Sequence, residues 1–165
     1  MVSASLSAAS SRTLLSISHF MAWASSAIVT GITSYFLNNF RHGQHLIFEE
    51  VIAVLTLAFW LPSFALPFYG TYKNVYFPLN FIFSYLWLTS FIFAAQDYNW
   101  KSCDAMSPAG GRCTLKLTNE AFIFLAFFFI LVATIVETLA WKARTETVSV
   151  NEPGKEATRP SVETA

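Results

Sequence analysis

Charge is scarce in this chain of 165 residues. Only 12% of the residues are Asp, Glu, Lys or Arg, and ten basic residues balance ten acidic ones. Without net charge the protein has no broad electrostatic field that would attract nucleic acid, so we expect no nucleic-acid partner. The sequence also lacks the G-x-S-x-G, H-E-x-x-H, P-loop and dinucleotide-binding motifs. We therefore expect a non-enzymatic protein with no catalytic residues, no cofactor and no metal.

Cysteine is nearly absent as well, and the two that are present share one polar segment. Cys103 and Cys113 flank Pro108, Gly110 and Gly111, which can reverse the chain between them. A structural metal site would need about four ligands, and the spacing is not that of a C-x-x-C dithiol. We expect a disulfide on the oxidising side of a secretory membrane, with two free thiols or a redox pair as alternatives.

Long apolar stretches dominate what remains. They cover about residues 14–37, 51–69, 76–95 and 121–141, and each is near the ~20 residues that a helix needs to cross a bilayer. The stretches predict an all-α integral membrane protein, a bundle of four transmembrane helices over residues 14–141. Its longest connector is 96–120. The bundle lies between an N-terminal segment 1–13 and a polar tail 142–165, and we expect the tail to be disordered.

Orientation follows from the cysteines. If the connector 96–120 faces the oxidising side, four crossings place the N- and C-termini in the cytosol. Basic residues near the membrane are divided evenly between the two sides, and only Lys155 and Arg159 favour this orientation. The first apolar run is too long for a cleavable signal, so we interpret it as a retained helix. The expected location is the plasma membrane or the endomembrane system, reached by the secretory route.

Small residues recur every four positions in the first predicted span. Ala22, Ser26, Thr30 and Ser34 form one line, with Gly31 on a neighbouring stripe. Small side chains let membrane helices approach closely, so this line predicts a helix-packing face. The alternative is that small residues occur there by chance.

Glu137 is the one acidic residue inside a predicted span, and His19 lies at a similar depth in the first span. Intramembrane carboxylates are costly and demand a partner. Our hypothesis is that Glu137 faces the bundle interior and pairs with His19 as a polar clasp, or else reaches towards Lys142. A proton-handling pair is the alternative. The remaining polar residues of the spans look isolated, among them Asn80, Thr89 and Ser90.

One segment resembles a known family. The string Phe91–Asn99 is followed by Cys103, the turn 108–111, Cys113 and the string Asn119–Leu125, and this arrangement is similar to the fungal branch of the MARVEL-domain family. The resemblance implies an M-shaped four-helix bundle with cytosolic termini and an involvement in membrane apposition, vesicle trafficking or lipid microdomains. It also implies a lumenal Cys103–Cys113 disulfide, and it draws attention to a loop motif: Gln96, Asp97, Tyr98 and Asn99.

The leading functional expectation is therefore a protein that organises membrane domains or assists vesicle trafficking and membrane apposition. The alternatives are a small transporter or channel-like bundle using His19 and Glu137, and an accessory subunit of another membrane protein. Expected partners are membrane lipids, with sterol-rich domains as one candidate, and membrane proteins in a homo- or hetero-oligomer.

Overall fold

The computed structural model describes residues 8–41, 43–61, 76–99 and 108–150, and these residues form four α-helices. They are α1 (Ala8–Asn39), α2 (Gln44–Trp60), α3 (Tyr76–Asn99) and α4 (Cys113–Val150), and the described residues contain no β-strand. The all-helical class expected from the sequence is confirmed.

Three of the described helices are long and apolar enough to cross a membrane. The candidate spans are Ser10–Asn39, Phe77–Asn99 and Cys113–Lys142. At 17 residues, α2 is about 26 Å long, which is shorter than a hydrocarbon core of about 30 Å. Part of the second predicted span, 62–69, lies outside the described residues.

The helices extend further towards the connectors than hydropathy predicts. α2 begins at Gln44 rather than near residue 51, α3 continues to Asn99, and α4 begins at Cys113 rather than near residue 121. Hydropathy detects the part of a helix that lies in hydrocarbon, whereas a helix continues wherever its backbone hydrogen bonds continue. The added turns carry polar side chains that pair with each other at this end of the bundle, so residues 96–99 and 113–120 of the connector predicted at 96–120 are helical.

The opposite end of the bundle shows the same difference. α1 begins at Ala8, inside the predicted segment 1–13, and α4 continues through residues 142–150 of the predicted tail. Residues 142–150 contain neither Gly nor Pro, the two residues that most strongly end a helix. The rest of the tail, 151–165, lies outside the described residues.

The helices alternate in direction and bury a core of small and aromatic side chains. α1 packs against α2 and α4, and α3 packs mainly against α4. Small residues allow the helices to approach, and large rings fill the spaces between them. The fully buried members include Ala22, Ala53, Ala94, Ala126, Trp60 and Trp87.

Large apolar side chains also cover the outside of the bundle. Phe81 and Tyr85 are 63% and 69% exposed, and similar side chains occur on the other helices: Ile17, Phe20, Val51, Phe124, Phe128, Ile135 and Leu139. A soluble monomer rarely exposes so much apolar surface. This surface suits contact with lipid chains.

Candidate functional site

A buried polar cluster lies where the first half of α1 and the start of α3 meet the second half of α4. Asn80 Nδ2 donates to Glu137 Oε2 at 2.9 Å and to His19 Nε2 at 3.2 Å. Asn80 and His19 are fully buried, and Glu137 is 6% exposed. The structure therefore brings His19 and Glu137 to one amide between them. We call these three residues the Asn80 cluster.

The second helix reaches the same cluster through an aromatic ring. Trp60 is fully buried, and its ring centroid lies 6.3 Å from that of His19 with the rings nearly perpendicular at 86°. Edge-to-face geometry of this kind is favourable for aromatic pairs. All four helices thus contribute a side chain to one buried point.

Asn80 looks isolated in the sequence. That interpretation is wrong: Asn80 bonds to both members of the predicted pair. The missed signal is depth, since alternating helices place the start of the third span beside the start of the first and the end of the fourth. The role of His19 and Glu137, either as a structural clasp or as a proton-handling pair, stays a prediction.

A second buried cluster occupies the other end of the bundle. Asn119 Nδ2 of α4 donates to Glu49 Oε2 of α2 at 3.0 Å and lies 3.2 Å from the Tyr98 hydroxyl of α3. The three side chains are at most 2% exposed, and we call them the Asn119 cluster. Hydropathy does not indicate this cluster, because the predicted second span begins at residue 51 and Glu49 then lies among polar connector residues.

Glu49 is unusual in its proton affinity. Burial raises the pKa of its carboxyl to about 8. The hydrogen bond from Asn119 lowers the pKa, the negative charge of Asp97 raises it, and Tyr98 and Glu120 make smaller contributions that lower and raise it. Because burial outweighs the hydrogen bonds, Glu49 keeps its proton at neutral pH, and the Asn119 cluster carries no charge.

The predicted loop motif lies in the last turn of α3 and not in a loop. Asp97 Oδ2 is 3.2 Å from His45 Nδ1 of α2, with the two side chains 19% and 41% exposed. The His45 ring also stacks on Phe93, with centroids 4.2 Å apart and an interplanar angle of 6°. Asp97 therefore helps to attach the start of α2 to the end of α3.

Two further residues of the motif contact α4. Asn99 Nδ2 donates to both carboxylate oxygens of Glu120, at 2.8 and 3.0 Å, and Tyr98 belongs to the Asn119 cluster. Gln96 is exposed. Three consecutive residues thus contact two different helices, which explains the motif as an attachment point for helix ends.

Only part of the predicted packing face of α1 is buried. Ala22 and Ser26 are fully buried, Thr30 is half-buried, and Gly31 and Ser34 are exposed, with nothing within 4 Å of a Cβ placed at Gly31. Four residues turn a helix by about 400°, so a strict four-residue line drifts about 40° per step around the helix. The buried line follows steps of three or four residues: Leu15, Ser18, Ala22, Ser25, Val29, Thr33 and Phe36.

Two further polar links hold α2 in place. Glu50 accepts hydrogen bonds from Thr33 and, at 2.6 Å, from Ser34 of α1. Midway along the bundle, Trp87 Nε1 of α3 donates to Thr56 Oγ1 of α2 at 3.0 Å. Ser34 therefore serves in a hydrogen bond to α2 and not in close helix packing.

The cysteine prediction falls partly outside the described residues. Cys113 is the first residue of α4 and is not a free thiol, but Cys103 lies in the undescribed segment 100–107. The disulfide between them stays a prediction. In the parts of the chain that the structure describes, no three His, Cys, Asp or Glu side chains converge to hold a metal ion.

Comparison with known proteins places this geometry in a family. Residues 10–136 match the MARVEL family, whose description is a membrane-associating domain. The chain belongs to the MARVEL family. The matched range contains all of α2 and α3 and most of α1 and α4. It therefore includes every residue of the two buried clusters except Glu137. No curated protein and no solved structure matches the chain.

Proposed function

We propose that this MARVEL protein is a non-enzymatic organiser of membrane domains that assists vesicle trafficking or membrane apposition. The observation that carries the proposal is the family match over a helical bundle whose outer surface is apolar. In the proposed topology the bundle spans the membrane four times, with both termini in the cytosol. The segment between α3 and α4 then lies on the opposite side, where a Cys103–Cys113 disulfide would be stable.

The apolar length of α1 supports a preference for thick membranes. Its apolar stretch, about residues 14–37, has 24 residues, which corresponds to about 36 Å of helix, whereas a hydrocarbon core is about 30 Å thick. An apolar stretch longer than the local hydrocarbon thickness must tilt or thicken the bilayer, and sterol-rich membranes are a few Å thicker than average. We infer that sterol-rich domains reduce this mismatch and attract the protein.

The proposal is tested by location in the cell and by lipid preference in vitro. A fluorescent fusion in the native cell should label discrete patches or puncta, whereas uniform labelling of one organelle would contradict the organising role. In giant vesicles with coexisting thick, sterol-rich and thin phases, the labelled protein should concentrate in the thick phase. Equal partitioning would refute the mismatch mechanism.

The other expectations from the sequence stay predictions. Membership of the fungal branch, a particular oligomer and a particular membrane are among them. A transporter built on His19 and Glu137 should lose pH-dependent flux in liposomes when Glu137 is changed to Gln, whereas an organiser should keep its localisation. An accessory subunit should co-purify in fixed ratio with one membrane protein.

A further inference from the structure

The amide of Asn80 is only half used. Its Nδ2 contacts both neighbours, but its Oδ1 is buried and has no hydrogen-bond partner among the described residues. Leaving a buried acceptor unpaired is unfavourable. A rotation of the amide by 180° would exchange the two atoms and place Oδ1 between His19 and Glu137.

The two orientations require opposite hydrogen positions on the neighbours. The Nδ2 group can only donate, so in the observed orientation both His19 Nε2 and Glu137 Oε2 must be acceptors. The imidazole is then neutral with its hydrogen on Nδ1. In the rotated orientation Oδ1 can only accept, so both neighbours must be donors. If one neighbour is a donor and the other an acceptor, either orientation of the amide places two donors or two acceptors opposite each other.

We propose that the Asn80 cluster is a proton-binding site in which rotation of the Asn80 amide couples the protonation of Glu137 to the state of His19. One proton from water adds to the Glu137 carboxylate and forms an O–H bond. The His19 hydrogen leaves Nδ1 for water, and another from water adds to Nε2, so the ring stays neutral. The net charge of the cluster changes from −1 to 0.

The surroundings favour the uncharged state. The cluster is buried among helices that are long and apolar enough to span a membrane, where a carboxylate charge is expensive. α2 faces it with the ring of Trp60 and not with a charge. The next charged residues along α1 and α4 are Arg12 and Lys142, and both are exposed. The coupling is a property of three side chains and does not depend on the organising role.

The test follows both groups in the same sample. The chain has three histidines, so His42→Gln and His45→Gln make His19 the only one. In lipid bilayers, solid-state nitrogen NMR of labelled histidine reports the protonation of Nε2. Infrared spectroscopy reports the carbonyl band of a protonated carboxyl group, which is assigned to Glu137 by its loss in Glu137→Gln.

We expect Nε2 to gain a hydrogen and Glu137 to gain its proton with one shared pH midpoint, equal within about 0.3 pH unit. In Asn80→Ala the coupling atom is gone, and the midpoints should separate by about one pH unit or more, a tenfold difference in proton affinity. Ser90→Ala removes another buried polar side chain from α3 and should leave the midpoint shared.

Three results would overturn the proposal. They are separate midpoints in the protein with an intact Asn80, a His19 Nε2 that carries a hydrogen at every pH, and a shared midpoint that survives Asn80→Ala. The first two need no variant at Asn80, so the proposal remains open to refutation even if Asn80→Ala does not fold.

Discussion

Replacing Glu49 by Gln should change how the stability of the bundle depends on pH. The native carboxyl keeps its proton up to about pH 8, whereas the ordinary value is 4.5. Between these two values the folded protein binds more protons than the unfolded one, so the free energy of unfolding falls as the pH rises. Gln has the same shape, can still accept the hydrogen bond from Asn119, and does not titrate.

The size of the effect follows from the two values. Each pH unit between 4.5 and about 8 removes about 1.4 kcal/mol, which gives a total loss of about 4–5 kcal/mol. The stabilisation from Glu49 is fully present below pH 4.5, falls progressively as the pH rises, and is lost above about pH 8. Such a loss is a large part of the stability of an ordinary domain, about 5–15 kcal/mol.

Unfolding by SDS in mixed micelles, followed by tryptophan fluorescence at pH values from 4 to 9, measures this dependence. The difference in unfolding free energy between the wild type and Glu49→Gln should fall with pH by several kcal/mol. Glu50→Gln is a matched control, because Glu50 is the next residue of α2, is only half-buried and bonds to hydroxyls of α1. A difference that stays constant across the pH range would refute the conclusion that Glu49 is buried in its protonated form.

Three further predictions concern packing, a mid-bundle hydrogen bond and a turn. Ala22→Leu should destabilise the bundle by about 1–3 kcal/mol because it overpacks a buried site. Gly31→Ala should stabilise it by up to about 1 kcal/mol because helix propensity improves at an open position. If SDS unfolding showed the reverse order of stability, the result would contradict the buried line described for α1. Trp87→Phe should cost about 1–3 kcal/mol because the Thr56 hydroxyl loses a buried donor, and an unchanged unfolding midpoint would argue against that bond. Gly110 has φ of +83°, so Gly110→Ala should destabilise the protein by about 1 kcal/mol through backbone strain; thermal unfolding of equal midpoint would exclude this conformation.

Much of the fold could be predicted because the underlying physics is local. Long apolar runs indicate membrane helices from length and composition alone, and the segment around Asp97 and Asn99 is distinctive enough to indicate the family. The burial of Ala22 and Ser26 could also be predicted locally, because small residues on one face of a membrane helix indicate close packing. The positions of Gly31 and Ser34 could not, because the direction that a helix turns towards its neighbours depends on helices far away in sequence.

The polar clusters show where local reasoning ends. From the sequence alone, Glu137 demanded a partner, because a carboxylate in hydrocarbon is costly. That partner is Asn80, which also bonds to His19. The raised pKa of Glu49 comes from burial and from the negative charge of Asp97, which together outweigh the hydrogen bond from Asn119. Composition and hydropathy by themselves determined that this chain forms helices suited to a bilayer. Only the tertiary structure decided which polar groups meet, because hydrogen bonds join atoms within about 3 Å, and that proximity depends on how all four helices pack.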